Sequence, residues 1–156
     1  MPAWAGTFSW TGGDGTSQLW STGSNWSGGT APTSASDTVI NFDVMNNPGT
    51  STNRLQQDIA NPFLLNEMTF GHNADVSYYL DGGPLQFVAN AGTQPMFRNY
   101  GWYDKSIYNA IQVPSGTTLR LINDTYNVRL YGVISGGGTL QMEAQSGGGE
   151  WHLYDA

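Results

Sequence analysis

The sequence predicts an all-β protein, a parallel β-helix (solenoid) with an aromatic-rich cap at its N-terminal end. Three observations carry this. Short runs of alternating apolar and polar residues recur along the chain, and turn residues bound nearly all of them. No window repeats its apolar residues at i, i+3, i+4 and i+7, so no helix is expected. The runs also recur at a near-constant interval. Leu64 to Leu85 is 21 residues, Leu85 to Ile107 is 22, Ile107 to Val128 is 21, and Val128 to Glu150 is 22. Leu119 to Leu140 and Leu121 to Met142 are 21 each. A fixed period of about 21–22 residues marks a repeat architecture whose units stack on their neighbours. The alternative is a β-sandwich whose strands happen to be evenly spaced.

Residues 1–36 are expected to form the cap. They contain WTGGDG (10–15), LW (19–20), SNW (24–26) and TAP (30–32), and four of the six tryptophans precede residue 27. A repeat array exposes an apolar cross-section at each end unless something covers it. Residues 37–156 are expected to form the rungs. Their runs are TVINF (38–42), EMTF (67–70), VSYYL (76–80), LQFV (85–88), TLRLI (118–122), VRLYGVI (128–134), TLQM (139–142) and EWHLY (150–154). In a β-coil alternate side chains point inward and stack on the next rung. The expected core is therefore Val39, Phe42, Leu64, Met68, Leu80, Leu85, Phe87, Ile107, Ile111, Leu119, Leu121, Leu130, Ile134, Leu140, Met142 and Leu153. The run Gly136–Gly138 between two such strands reads as a tight corner, as do Gly82–Gly83 and Gly147–Gly149.

Composition narrows function. The 156 residues suffice for one domain with a core. Only 11% are charged, against roughly 25% in ordinary soluble domains. Aromatics reach 13%, and the net charge is −7 with five Lys and Arg. Those five cations are scattered, which argues against nucleic acid and against an anionic membrane surface. With no cysteine there is no disulfide framework, thiolate metal site or cysteine nucleophile. No apolar run approaches the roughly 20 residues of a membrane-spanning helix, so no membrane insertion is expected. The opening MPAWAGTFSW has neither a basic n-region nor an apolar h-region, so no signal peptide is read there.

Two stretches carry a family resemblance. One is the entry pattern WTGGDG, a following Trp, and SNWSGGTAPTSASDTVINF. The other is LYGVISGGGTLQMEAQSGGGEWHLYDA. Together they resemble the autotransporter-associated β-strand repeat family, the passenger-type extracellular proteins of bacteria. The resemblance implies a right-handed parallel β-helix on an exported or cell-surface protein, with no catalytic residues and no cofactor. Family repeats often carry a lysine where this chain has Gln141, Met142 and Glu143.

Catalysis finds little support in the residues. Most of the twelve acids sit beside Gly, Asn, Ser or Thr, where an Asp usually bonds its own turn. Asp58, Asp81, Asp104 and Asp124 could stack into a cation-binding line if the period holds, but turn chemistry already explains them, and no metal site is assigned. GGDG (12–15) occurs once and reads as a turn. His72 and His152 lie far apart and read as exposed polar residues, with no G-x-S-x-G pattern nearby. The segment NYGWYDKSIY (99–108) is the best binding candidate. Tyr100, Trp102 and Tyr103 could stack on sugar rings, with Asn99 and Asp104 bonding hydroxyls. The competing reading packs these rings down over the core, and it is favoured because large aromatics mostly bury their area.

Two functions follow as expectations. The first is a structural or surface module that stacks through its solenoid ends, as a filament, stalk or passenger segment. Its partner is itself, head to tail, or further repeats of a longer chain. Trp151, Leu153 and Tyr154 are the expected end-to-end contact, because EWHLYDA closes on apolar residues with no evident cap. The second is a cell-surface carbohydrate-binding or adhesin module, whose partner is a polysaccharide held by the 99–104 aromatics.

Overall fold

The computed structural model describes residues 6–144 and 147–155. They form a parallel β-solenoid of about 5 turns, with three sheets as its faces. The first face has six strands: β1 (Thr7–Trp10), β2 (Val39–Phe42), β5 (Glu67–Phe70), β8 (Met96–Asn99), β11 (Thr118–Asn123) and β14 (Thr139–Ala144). The second has five: β3 (Leu55–Gln57), β6 (Tyr78–Gly82), β9 (Lys105–Ile107), β12 (Val128–Leu130) and β15 (Trp151–Leu153). The third has four: β4 (Phe63–Leu65), β7 (Leu85–Phe87), β10 (Ile111–Gln112) and β13 (Ile134–Ser135). From β2 onward the chain visits the faces in strict rotation, which is the parallel coil expected of the sequence.

Alternation decides the faces. In β2, β5 and β8 every second residue is buried, and in β3, β4 and β7 the two end residues are. Inward residues stack in columns, as in Ile40–Met68–Phe97–Leu121 and Leu55–Leu80–Ile107–Leu130. All eight are essentially inaccessible. Burying a side chain of this size stabilises by about 1.5–3 kcal/mol, so these columns supply much of the folding energy.

The stacking register corrects the expected period. On the first face, successive strands are offset by 28 (Val39 to Glu67), 29 (Glu67 to Met96), 24 (Met96 to Arg120) and 21 residues (Thr118 to Thr139). Leu119–Leu140 and Leu121–Met142 are true neighbours. The other series is not a stack: Leu64 lies opposite Gln86, Leu85 opposite Ile111, and Ile107 opposite Leu130. The turns shorten toward the C-terminal end because the corners shorten. Val39 and Leu64 leave the expected core, since both occupy the outward, half-exposed positions of their strands.

The N-terminal segment is itself a turn of the coil. β1 pairs with β2 at an offset of 32 residues. Leu19 bridges to Gln56 on the second face. On the third face Ala35 N–H donates to Leu64 C=O (3.1 Å), and Leu64 N–H donates to Ser34 Oγ (2.8 Å). Trp10, Trp20 and Trp26 fill this turn, none more than 2% exposed, and Trp26 meets the other two edge to face. Trp26 Nε1–H donates to Trp20 C=O at 2.8 Å. The indole N–H groups of Trp10 and Trp20 have no partner among the described residues. Each such group costs about 1–3 kcal/mol, which aromatic packing must offset.

Candidate functional site

The columns that begin under the tryptophans end in the open. Phe97 and Leu121 are inaccessible, yet Met142, next in that column, is 51% exposed. Leu130 is buried, whereas Leu153 above it is half-exposed, as are Ile134, Leu140 and Trp151. Met142 and Leu153 therefore have inward orientation without a neighbour beyond them among the described residues. A depression of about 390 Å³ opens there between Met142, Gly149 and Trp151. The Trp151 indole N–H has no partner among the described residues, and Tyr154 is 53% exposed. Trp151, Leu153 and Tyr154 all lie at this end.

The five candidate residues of the 99–104 segment separate. Asn99 is fully buried, which removes it as a ligand contact. Its Nδ2 donates to Asn123 Oδ1 and to Tyr126 C=O, both at 3.1 Å, and its Oδ1 accepts from Gly101 N–H at 3.1 Å. Asp104 is paired with Arg129. Trp102 and Tyr103 are each 52% exposed, so they do not pack down over the core as favoured from sequence. Tyr103 has φ of +66°, sparsely populated for a bulky residue. Tyr126, from the next turn, stacks on Tyr103 at 6.0 Å and lies 5.9 Å from Trp102. The three rings form an aromatic rim on the corner between the first and second faces.

Beneath that rim lies Lys105, which is wholly buried. Its Nζ donates to the carbonyls of Ala74 (3.0 Å), Val76 (2.7 Å) and Trp102 (2.6 Å). The amine ties the corner to the one before it through these three bonds.

Tyr100 goes elsewhere. It lines a groove of about 360 Å³ on the outer side of the first face. Ser9, Asn41 and Thr69 stand in register along its floor. Asp43 accepts from Asn73 through both carboxylate oxygens, at 2.8 and 3.1 Å, and so ties one wall. A Cβ at Gly71 would strike the Asp43 carboxylate and force it to move. On the other wall Tyr100 is sandwiched between His72 (5.0 Å) and the Arg98 guanidinium (3.6 Å). Sequence reasoning found Tyr100 but missed the rest. They lie 28–32 residues apart along the chain, and only the register brings them together.

The four aspartates that could have formed a cation-binding line each have another partner. Asp81 pairs with Arg54, Asp104 with Arg129 and Asp124 with Arg98, while Asp58 accepts from Ser21. No cluster of three metal-ligating side chains occurs among the described residues. Asp14 of GGDG closes its own turn by accepting from Thr16 and Ser17, and these bonds hold its carboxyl below the usual range. Comparison with family models, with curated proteins and with solved structures returned no match.

Proposed function

We propose that this chain is a non-enzymatic structural module of an extracellular or cell-surface protein, a length of β-solenoid carried on by strand addition at its C-terminal end. The contrast between the two ends supports this. Three tryptophans seal the first turn, while Met142, Trp151 and Leu153 stand open on the last. An unpaired strand edge with apolar side chains beside it recruits another strand. The uncharged Asn, Ser and Thr surface favours close packing, and the resemblance to passenger repeats supports the extracellular setting.

The next rung is either further chain or a second copy. Head-to-tail growth would require a copy to dock on the tryptophan-sealed turn, whereas two open ends can meet about a two-fold axis and close as a dimer. Light scattering over a concentration series, with electron micrographs of the same samples, tests this. Association that rises with concentration and disappears in Leu153→Arg supports self-assembly through this end. One chain mass at every concentration overturns it.

A second reading is carbohydrate recognition through exposed aromatics, favoured by Trp102 and Tyr103 standing half clear of the core. Loss of glycan retention in Trp102→Ala, with folding intact, is its expected signature.

A further inference from the structure

We infer that a neutral oligosaccharide binds in the groove on the first face; this rests on carbohydrate recognition as read above, and moves its place from the aromatic rim to the groove. The floor carries the argument. Ser9, Asn41 and Thr69 come from three successive strands and occupy one outward column. Adjacent strands lie about 4.8 Å apart, so the groove presents one short hydrogen-bonding side chain per step along the coil axis. Among the described residues the Ser9 hydroxyl and the Asn41 amide bond to no other group. An extended sugar chain offers hydroxyls at a comparable repeat.

The walls specify the chemistry further. Tyr100 is held from both sides, by His72 and by Arg98, so its position is set before any ligand arrives. With its faces covered, the ring offers only its edge and hydroxyl, and these beside a polar floor suit the hydroxylated edge of a neutral pyranose. Charge disfavours acidic sugars and phosphates. Arg98, next to Thr69 in the column, is already engaged by Asp124, while Asp43 lines the groove and Glu67 lies beside Thr69. Hydrolysis is not part of the proposal: both oxygens of Asp43 are taken by Asn73, and Glu67 accepts from Thr69.

The test is calorimetric titration of the intact chain with cellohexaose, laminarihexaose and maltohexaose, with polygalacturonate as the anionic probe. Binding of at least one neutral hexasaccharide is expected, with little response to polygalacturonate. Asn41→Ala should weaken it at least tenfold. Ser9→Trp should abolish it, because an outward indole fills the floor while leaving the core alone. Circular dichroism melts of both variants show whether they remain folded. If no neutral hexasaccharide binds, the carbohydrate reading and this site both fall. If one binds equally well in Ser9→Trp and Asn41→Ala but not in Trp102→Ala, the reading stands and the groove is overturned. Preference for polygalacturonate also overturns it.

Discussion

The ammonium of Lys105 stands 2.6 Å from the carbonyl oxygen of Trp102. The same nitrogen reaches back to Ala74 and Val76 on the corner of the preceding turn. Lys105 occupies an inward position between Tyr78 and Val128. A buried polar group thus fastens two corners together, and one of them carries the exposed rim.

That arrangement makes stability depend on pH. Burial pushes Lys105 from its ordinary 10.5 down to about 7, against Asp75 and Asp104, which raise it. Between about pH 7 and 10.5 the unfolded chain binds a proton that the folded chain has released. Stability from this group therefore rises with pH through that window and is lowest below pH 7, where both states are protonated. Urea denaturation should show the midpoint climbing from neutral pH toward pH 9.5 (about one unit short of the unfolded value). Lys105→Met should flatten the curve. A wild-type curve parallel to that of the variant would count against the assignment.

Asn99 and Asn123 form a second fastening one step along the same corner. Asn99→Ala leaves the Gly101 N–H and the Tyr126 carbonyl without their partner. Each costs about 1–3 kcal/mol, so the expected loss is about 2–6 kcal/mol by chemical denaturation. Asn99→Asp keeps the acceptor for Gly101 N–H but sets a buried carboxylate against the Asn123 Oδ1 and Tyr126 carbonyl oxygens, so at neutral pH it should lose at least as much. A smaller loss in the Asp variant would mean that the Gly101 N–H carries the bond that matters.

The coil was legible in the sequence because alternation is a local property, and each strand declares its inward side within three or four residues. The register was not. Leu64, Leu85 and Ile107 fall on an apparent 21–22-residue grid, yet they sit on different faces or in different columns. Corner lengths set the true offsets, and polar corners carry no periodic mark. The Trp10, Trp20 and Trp26 cap was visible as composition, but its being a full turn depends on bridges to Gln56 and Leu64 that no local pattern encodes. The groove was hidden for the same reason: a Ser, an Asn and a Thr gain meaning once stacking aligns them.

Tyr108, Tyr131 and Tyr154 make an outward column on the second face, at 4.6 and 4.5 Å and within about 11° of parallel. The Arg54 guanidinium covers the Tyr108 ring at 3.4 Å. Neighbouring rings and burial raise the Tyr131 hydroxyl above its ordinary range, burial being the larger cause. The rings hold the column, so Tyr131→Phe should be nearly neutral. Tyr131→Ala removes two stacked pairs, each about 0.5–1.5 kcal/mol, and should lower stability by about 1–3 kcal/mol. A deficit in the Phe variant equal to that in the Ala variant would assign the stabilisation to the hydroxyl.

Gly136 and Gly116 separate two reasons for glycine at the corners between the third and first faces. Both have positive φ, +108° and +79°. A Cβ at Gly116 meets open space, whereas one at Gly136 would run into the Val113 backbone of the turn beneath. Gly116→Ala should therefore cost only the backbone penalty, about 1–2 kcal/mol. Gly136→Ala adds a collision with a carbonyl fixed by its own hydrogen bond from Gly138 N–H (2.9 Å). Its loss should exceed that of Gly116→Ala, with thermal melts of the two variants as the comparison. Gly138 follows the same logic, since a Cβ there would meet the Pro114 and Thr117 carbonyls, whereas one at Gly137 would meet only the Ser115 hydroxyl, which can rotate aside. Two of the three glycines are then explained by one corner descending onto another. Matching losses at positions 136 and 116 would show that the lower corner yields, and that φ alone selects glycine here.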